Sequence, residues 1–168
     1  MNMPKDKENS GKQCLKANLN KKLTNKNAMI LGTAGLTALL CSFAIKAREE
    51  LLLGEKINNV LVTGATGGVG SIAVMILSKF GYKVTAVTGK KDQNDFLKKL
   101  GASNIINRNE FEDEPKLLGK GLWDGVVDTV GGTILSNVIS QTKHSGICLL
   151  YTSPSPRDAT LSRMPSSA

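Results

Sequence analysis

Residues Asn59–Lys79 read NVLVTGATGGVGSIAVMILSK. Asn59–Thr63 is a short, β-branched apolar run suited to a buried parallel strand. Seven residues follow, Gly64-Ala65-Thr66-Gly67-Gly68-Val69-Gly70, and four of them are glycine. Ser71–Phe80 is apolar nearly all round, as expected of a helix packed on a sheet. Strand, glycine turn and helix in that order form the setting of a dinucleotide fingerprint. A pyrophosphate must approach the backbone closely, so side chains there would clash. The first amides of the helix then face the anion, and the helix dipole favours it. Gly67 and Gly68 are expected to supply close approach and unusual dihedrals. Gly70 is expected to let the helix lie tight on the strand, and Thr66 to add a hydroxyl donor.

The match leaves two alignments open. On G-x-G-x-x-G the three positions are Ala65, Gly67 and Gly70. The same stretch fits T-G-x-x-x-G-x-G of short-chain dehydrogenases through Thr63, Gly64, Gly68 and Gly70. The bland reading is a tight strand–helix turn that binds nothing.

Working outward, Lys83–Thr88 (KVTAVT) is expected as the second strand. An NAD site usually has an acid at this strand's end for the ribose hydroxyls. Here the end reads Thr88-Gly89-Lys90-Lys91. A carboxylate would repel a 2′-phosphate, whereas lysine and hydroxyl groups complement it. The residues therefore point to NADPH, with Lys90 first and Thr88 second as phosphate ligands. The alternative is that Lys90 and Lys91 are solvated loop charges.

Asp92 is expected to cap a third helix, Phe96, Leu97 and Leu100 to form its apolar stripe, and Gly101 to end it. Asn104–Asn107 (NIIN) reads as the third strand and Gly125–Val130 (GVVDTV) as the fourth. Ligands lie outside the carboxyl ends of strands in such sheets. Thr129 and Val130 are accordingly expected to face the nicotinamide half of the cofactor. Asp128 is read as a loop hydrogen-bonding group in preference to a catalytic acid. Ile134, Leu135, Val138 and Ile139 repeat at helical spacing, a core-facing stripe. Gly146-Ile147 is expected to start a fifth strand. Strands alternating with helices imply an α/β fold, a doubly wound parallel sheet of about five strands.

The 168 residues carry a formal charge of +8, which invites a nucleic-acid reading. Most of that charge lies in residues 1–27, where seven lysines face Asp6 and Glu8. The apolar centre is close to balanced, so no nucleic-acid partner is expected. Residues 1–27 read as a polar, basic lead segment. Ala28–Ile45 lacks charge for eighteen residues. Gly32, Thr33, Gly35, Thr37 and Ser42 lower its hydropathy, and it runs into AIKAREELL, so a soluble helix is preferred to a membrane span or signal. Cys14, Cys41 and Cys148 have no metal-like spacing, His144 is the sole histidine, and no metal is expected. Reduced thiols suggest a cytoplasmic setting. His144 reads as an ordinary helix-end residue.

Cys148–Asp158 (CLLYTSPSPRD) and Ser162–Ala168 (SRMPSSA) resemble translated sequencing-library adapter. Residues 148–168 are therefore expected to be disordered and foreign, with native sequence ending near Ile147.

Four ordered segments, AMILGTAGLTALLCSFAI, VLVTGATGGVGSIAV, FLKKLGASNIINR and WDGVVDTVGGTIL, resemble medium-chain dehydrogenase/reductases. More narrowly they resemble the zinc-independent quinone-oxidoreductase branch and its acryloyl-CoA reductase (NADPH) group, over about Leu19–Ile147. No Tyr is followed by Lys four residues on, which argues against the short-chain alternative. The resemblance implies a Rossmann-like NADPH-binding domain over residues 28–147, with Gly64, Ala65, Thr66, Gly67, Gly68 and Val69 at the pyrophosphate. It also implies that Thr37, on the GTAGxTA helix, lies beside the nicotinamide. The activity implied is reduction of an activated carbon–carbon double bond, such as acryloyl-CoA, or of a quinone. No catalytic residue is assigned. The family pairs this domain with a GroES-like barrel, which is expected to be missing, and commonly forms homodimers. Met1 is expected to be an internal start or the product of a frameshift, and the chain by itself is expected to be inactive.

Overall fold

The computed structural model describes residues 25–51, 56–113 and 120–151, with side chains from residue 31 onward. The chain divides into two units, Met1–Gly32 and Thr33–Ala168. Helix α1 (Asn25–Leu51) runs through the boundary, and its helical dihedrals are interrupted at Gly32 (φ 29°, ψ −143°).

The second unit holds five strands: β1 (Asn59–Val62), β2 (Lys83–Thr88), β3 (Asn104–Asn107), β4 (Trp123–Asp128) and β5 (Thr142–Leu150). They form one sheet in the order β3-β2-β1-β4-β5, every neighbouring pair parallel. Helices α2 (Gly68–Lys79), α3 (Asn94–Lys99) and α4 (Gly132–Ser140) make the crossovers, with 3-10 turns at Lys91–Gln93 and Arg108–Phe111. The order reverses between β1 and β4, which is the switch point of a doubly wound sheet.

Burial on both faces explains the valine-rich strands. Val60, Val62, Val84, Ala86 and Val127 pack on one face with Ala38 and Ile45 of α1, Ala73, Val74 and Leu77 of α2, and Leu97 of α3. Leu61, Val87 and Val126 pack on the other face with Ile134 and Val138 of α4 and with Phe111. Water is thereby excluded from both sides of the central strands, the main source of stability here.

Several sequence expectations shift. β4 starts at Trp123 and ends at Asp128, before Thr129 and Val130. The Asp128 carboxylate accepts the Gly131 amide at 2.8 Å, which turns the chain out of the strand. Asp92 does not cap α3, because it sits inside a 3-10 turn and accepts from the Gln93 side chain. Only Leu97 of the expected α3 stripe is buried, and Phe96 is exposed. In α4, Ile134 and Val138 face the core while Ile139 is exposed. Gly101 ends the α3 segment with φ 102°, as expected.

β5 begins four residues before Gly146, so His144 is an exposed strand residue and not a helix end. Trp123 pairs with Thr142, but Gly125 pairs with Ile147, and the shift in register absorbs the polar residues between. Cys148, Leu149 and Leu150 pair with Val126, Val127 and Asp128. The disorder expected from residue 148 onward therefore does not extend to these three. A continuous apolar run, with Ile147 and Leu149 on one face and Cys148 on the other, suffices for such pairing, whatever the origin of the residues. Residues 1–24 and 152–168, which the lead-segment and adapter readings concern, lie outside the described residues. Among the described residues no helix is long and apolar enough to cross a membrane.

Candidate functional site

The carboxyl ends of β1 and β4 are locked together by one buried network. Thr63 Oγ1 donates to Asp128 Oδ1 at 2.6 Å and accepts the Thr129 amide at 3.0 Å. Thr129 Oγ1 donates to the Thr63 carbonyl at 2.9 Å. Asp128 and Thr63 are wholly buried, and the other Asp128 oxygen takes the Gly131 amide. Asp128 is thus a satisfied loop acceptor, which agrees with the preferred reading of the sequence.

The glycine turn rests on this network. Gly64 has φ 58°, and a side chain there would run into the Thr129 hydroxyl. The unusual dihedral expected at Gly67 and Gly68 falls instead at Gly64, which is left-handed, while Gly67 is extended (φ −78°, ψ 174°). The Gly67 amide is spent on the Gly64 carbonyl at 2.8 Å. A Cβ at Gly70 would lie 2.8 Å from Ala65 Cα and strike the Gly64 carbonyl, so the expected close approach is real. The Ala65 amide donates to the Val87 carbonyl of β2 at 3.1 Å. The turn is thereby tied to strands on both sides of β1. Gly68, Val69 and Gly70 supply the first amides of α2, which have no acceptor within the helix.

At the end of β2 the Thr88 hydroxyl accepts the Lys90 amide at 3.1 Å and lies 3.3 Å from Thr66 Oγ1. A cleft of about 370 Å³ opens here, across the carboxyl ends of the strands. Its walls are Thr63, Gly64 and Thr66 from the turn, and Val87, Thr88, Gly89 and Lys90 from the end of β2. Arg108 and Asn109 close it from the turn after β3, and Val130 and Ile134 from beyond β4. No carboxylate lines it.

Of the predicted residues, Gly64, Thr66, Thr88 and Lys90 line this cleft together. Ala65, Gly67, Gly68 and Val69 belong to the same turn but do not line it; Ala65 is wholly buried, and Gly67 and Gly68 are exposed at the helix start. Thr129 stands behind Gly64, its hydroxyl engaged with the Thr63 carbonyl. Thr37 is half-buried on α1 and does not line the cleft. Sequence reasoning missed Arg108 and Asn109. The usable signal was a base immediately after NIIN, because parallel strands bring the ends of β2 and β3 side by side.

The zinc-binding dehydrogenase model matches residues 68–165. The chain belongs to the zinc-binding dehydrogenase family. The chain is 46% identical over 123 residues to the acrylyl-CoA reductase of Ruegeria pomeroyi, covering 73% of this chain and 36% of that protein. An oxidoreductase of Salmonella enterica solved in complex with NADP superposes with a TM-score of 0.69 at 44% identity, covering 79% of this chain and 40% of that one. The quinone oxidoreductase of Coxiella burnetii superposes with a TM-score of 0.60 at 30% identity, covering 84% and 42%. The chain therefore spans 36–42% of the length of these three relatives. The sheet is the Rossmann-like part of a medium-chain dehydrogenase/reductase. The family's name implies zinc, but among the described residues no three of His, Cys, Asp or Glu are grouped to hold a metal ion.

Proposed function

We propose that the cleft holds NADPH, and that the longer protein this dehydrogenase domain represents reduces an activated carbon–carbon double bond such as that of acryloyl-CoA, or a quinone. The observation that carries the cofactor reading is the pairing of Lys90 and Arg108 in one acid-free cleft beside a glycine turn. A Cβ at Gly64 or Gly70 would strike the chain's own atoms, so the tight turn that presents the first amides of α2 depends on both glycines. The amides of Gly68, Val69 and Gly70 would hold the cofactor's pyrophosphate at the positive end of α2. Lys90, Arg108 and the Thr88 hydroxyl would hold the 2′-phosphate, and Thr66 would bridge the two anions. Thr129 fixes Gly64 and, with Val130, borders the side toward the nicotinamide. Bound NADPH supplies the hydride, and the chain supplies orientation and electrostatics. The acrylyl-CoA reductase and quinone oxidoreductase relatives support the substrate classes, and the NADP complex supports the cofactor.

A second reading is that this chain is a nucleotide-binding half-module without turnover. It is favoured by the small share of its relatives that the chain covers. Titration of the 168-residue chain with NADPH, followed by fluorescence, and an assay of acryloyl-CoA reduction separate the two. Binding without turnover supports the half-module, and turnover excludes it. Failure to bind NADPH would overturn the cofactor reading.

A further inference from the structure

Arg108 reaches the cleft from a short turn, and three contacts fix that turn. The Asn107 side chain accepts the Asn109 amide at 3.1 Å. Phe111 is buried against α4. Asn137, itself buried in α4, donates its side-chain amide to the Phe111 carbonyl at 2.8 Å and the Asp113 carbonyl at 2.7 Å. Asparagine is an odd choice on a core-facing stripe, because burying an amide costs free energy unless it is bonded. Here both short bonds go to the segment that carries Arg108.

Two further features act on the arginine itself. Glu112 Oε1 lies 3.0 Å from Arg108 Nε, one helical turn on. A guanidinium has five N–H donors, so a contact at Nε leaves its terminal nitrogens for a phosphate. A methyl group at Gly89 would lie 2.8 Å from Arg108 Cδ and 3.2 Å from Nε. The arginine stem therefore lies directly over the end of β2, beside Thr88 and Lys90.

We propose that Asn137 and Glu112 are positioning residues for cofactor selectivity. Asn137 pins the turn, Glu112 orients the guanidinium, and together they make Arg108 a preformed clamp for an adenosine 2′-phosphate. This rests on the reading that the cleft holds NADPH. Preorganisation matters because an arginine held in place loses less side-chain entropy when it binds.

For Glu112, charge and positioning predict opposite effects. By charge alone, removing the Glu112 carboxylate would strengthen binding of a phosphate. Positioning predicts the reverse. The full chain and its variants are titrated with NADPH and with NADH. Arg108→Ala is expected to weaken NADPH about tenfold and leave NADH nearly unchanged. Asn137→Leu is expected to weaken NADPH about fivefold with NADH again little changed. Glu112→Gln is expected to weaken NADPH about two- to threefold, the size of an exposed ion pair. Equal losses for both cofactors in Asn137→Leu mark a purely structural role and overturn the proposal for that residue. A gain of NADPH affinity in Glu112→Gln overturns it for the carboxylate. If Asn137→Leu does not fold, the exposed Glu112→Gln variant decides the matter. A parent chain that binds neither cofactor sinks the cleft reading itself, whereas unchanged selectivity in a chain that binds NADPH sinks this inference alone.

Discussion

A methyl group at position 70 has nowhere to go, because the Gly64 carbonyl and Ala65 Cα already occupy its space. Gly70→Ala is expected to destabilise the fold by about 1–3 kcal/mol, the usual cost of overpacking, read as a lower urea midpoint. NADPH fluorescence enhancement should fall with it. Asp124 shows the same economy at the opposite end of the strands. Burial raises its pKa, but the Asn59 and Asn58 amides and the Lys143 ammonium outweigh that and hold the carboxyl below the usual carboxylate range. A folded-state pKa below the unfolded value means stability that is present above about pH 4 and is lost as acid protonates the group. Asp124→Asn should flatten the stability profile below pH 4 in thermal melts. Burial also raises both described thiols, Cys148 to about 11 with help from the Asp128 charge. Cys41 and Cys148 should therefore alkylate slowly at pH 8 and much faster in urea, as mapped by mass spectrometry. Most of these residue-level environments were not legible in the sequence. Asp124 draws its two backbone partners, the Asn58 and Asn59 amides, from more than sixty residues away, and no local pattern marks that meeting.

At the scale of elements, the turn after β2 separates two lysines that look alike in the sequence. Lys90 lines the cleft, whereas Lys91 opens the 3-10 turn and does not. Lys90→Ala should lower NADPH affinity about tenfold, and Lys91→Ala less than twofold, by the same titration. Lys90 was legible because strand, turn and glycine loop are contiguous, so the end of β2 could be counted off from VLVTG. Arg108 was not, because it belongs to the next strand–helix unit and reaches the cleft only once β3 lies beside β2. Boundaries failed where a side chain overrode local preference. Asp128 ended β4 early through the Gly131 amide, and the polar residues before Gly146 were drawn into β5 by an irregular register with β4. The glycine positions were legible as a cluster. Which of them needed the left-handed dihedral was decided by Thr129, from the far side of the switch point.

Across the whole molecule, the net charge was the least informative figure, because the fold rests on a nearly balanced apolar centre. The alternation of strands and helices carried the topology, and right-handed crossovers left few other arrangements. The strand order has a kinetic consequence. β1 is hydrogen-bonded along both flanks, to β2 and β4, while among the described strands β3 and β5 are the outer two. Amide exchange with deuterium should therefore be fastest at the rims and slowest at Val60, Leu61 and Val62, which open only when the whole domain does. The glycine loop leaves directly from that last-opening strand. Fraying at either rim would then cost the protein part of its sheet well before it loses the platform on which a phosphate can sit.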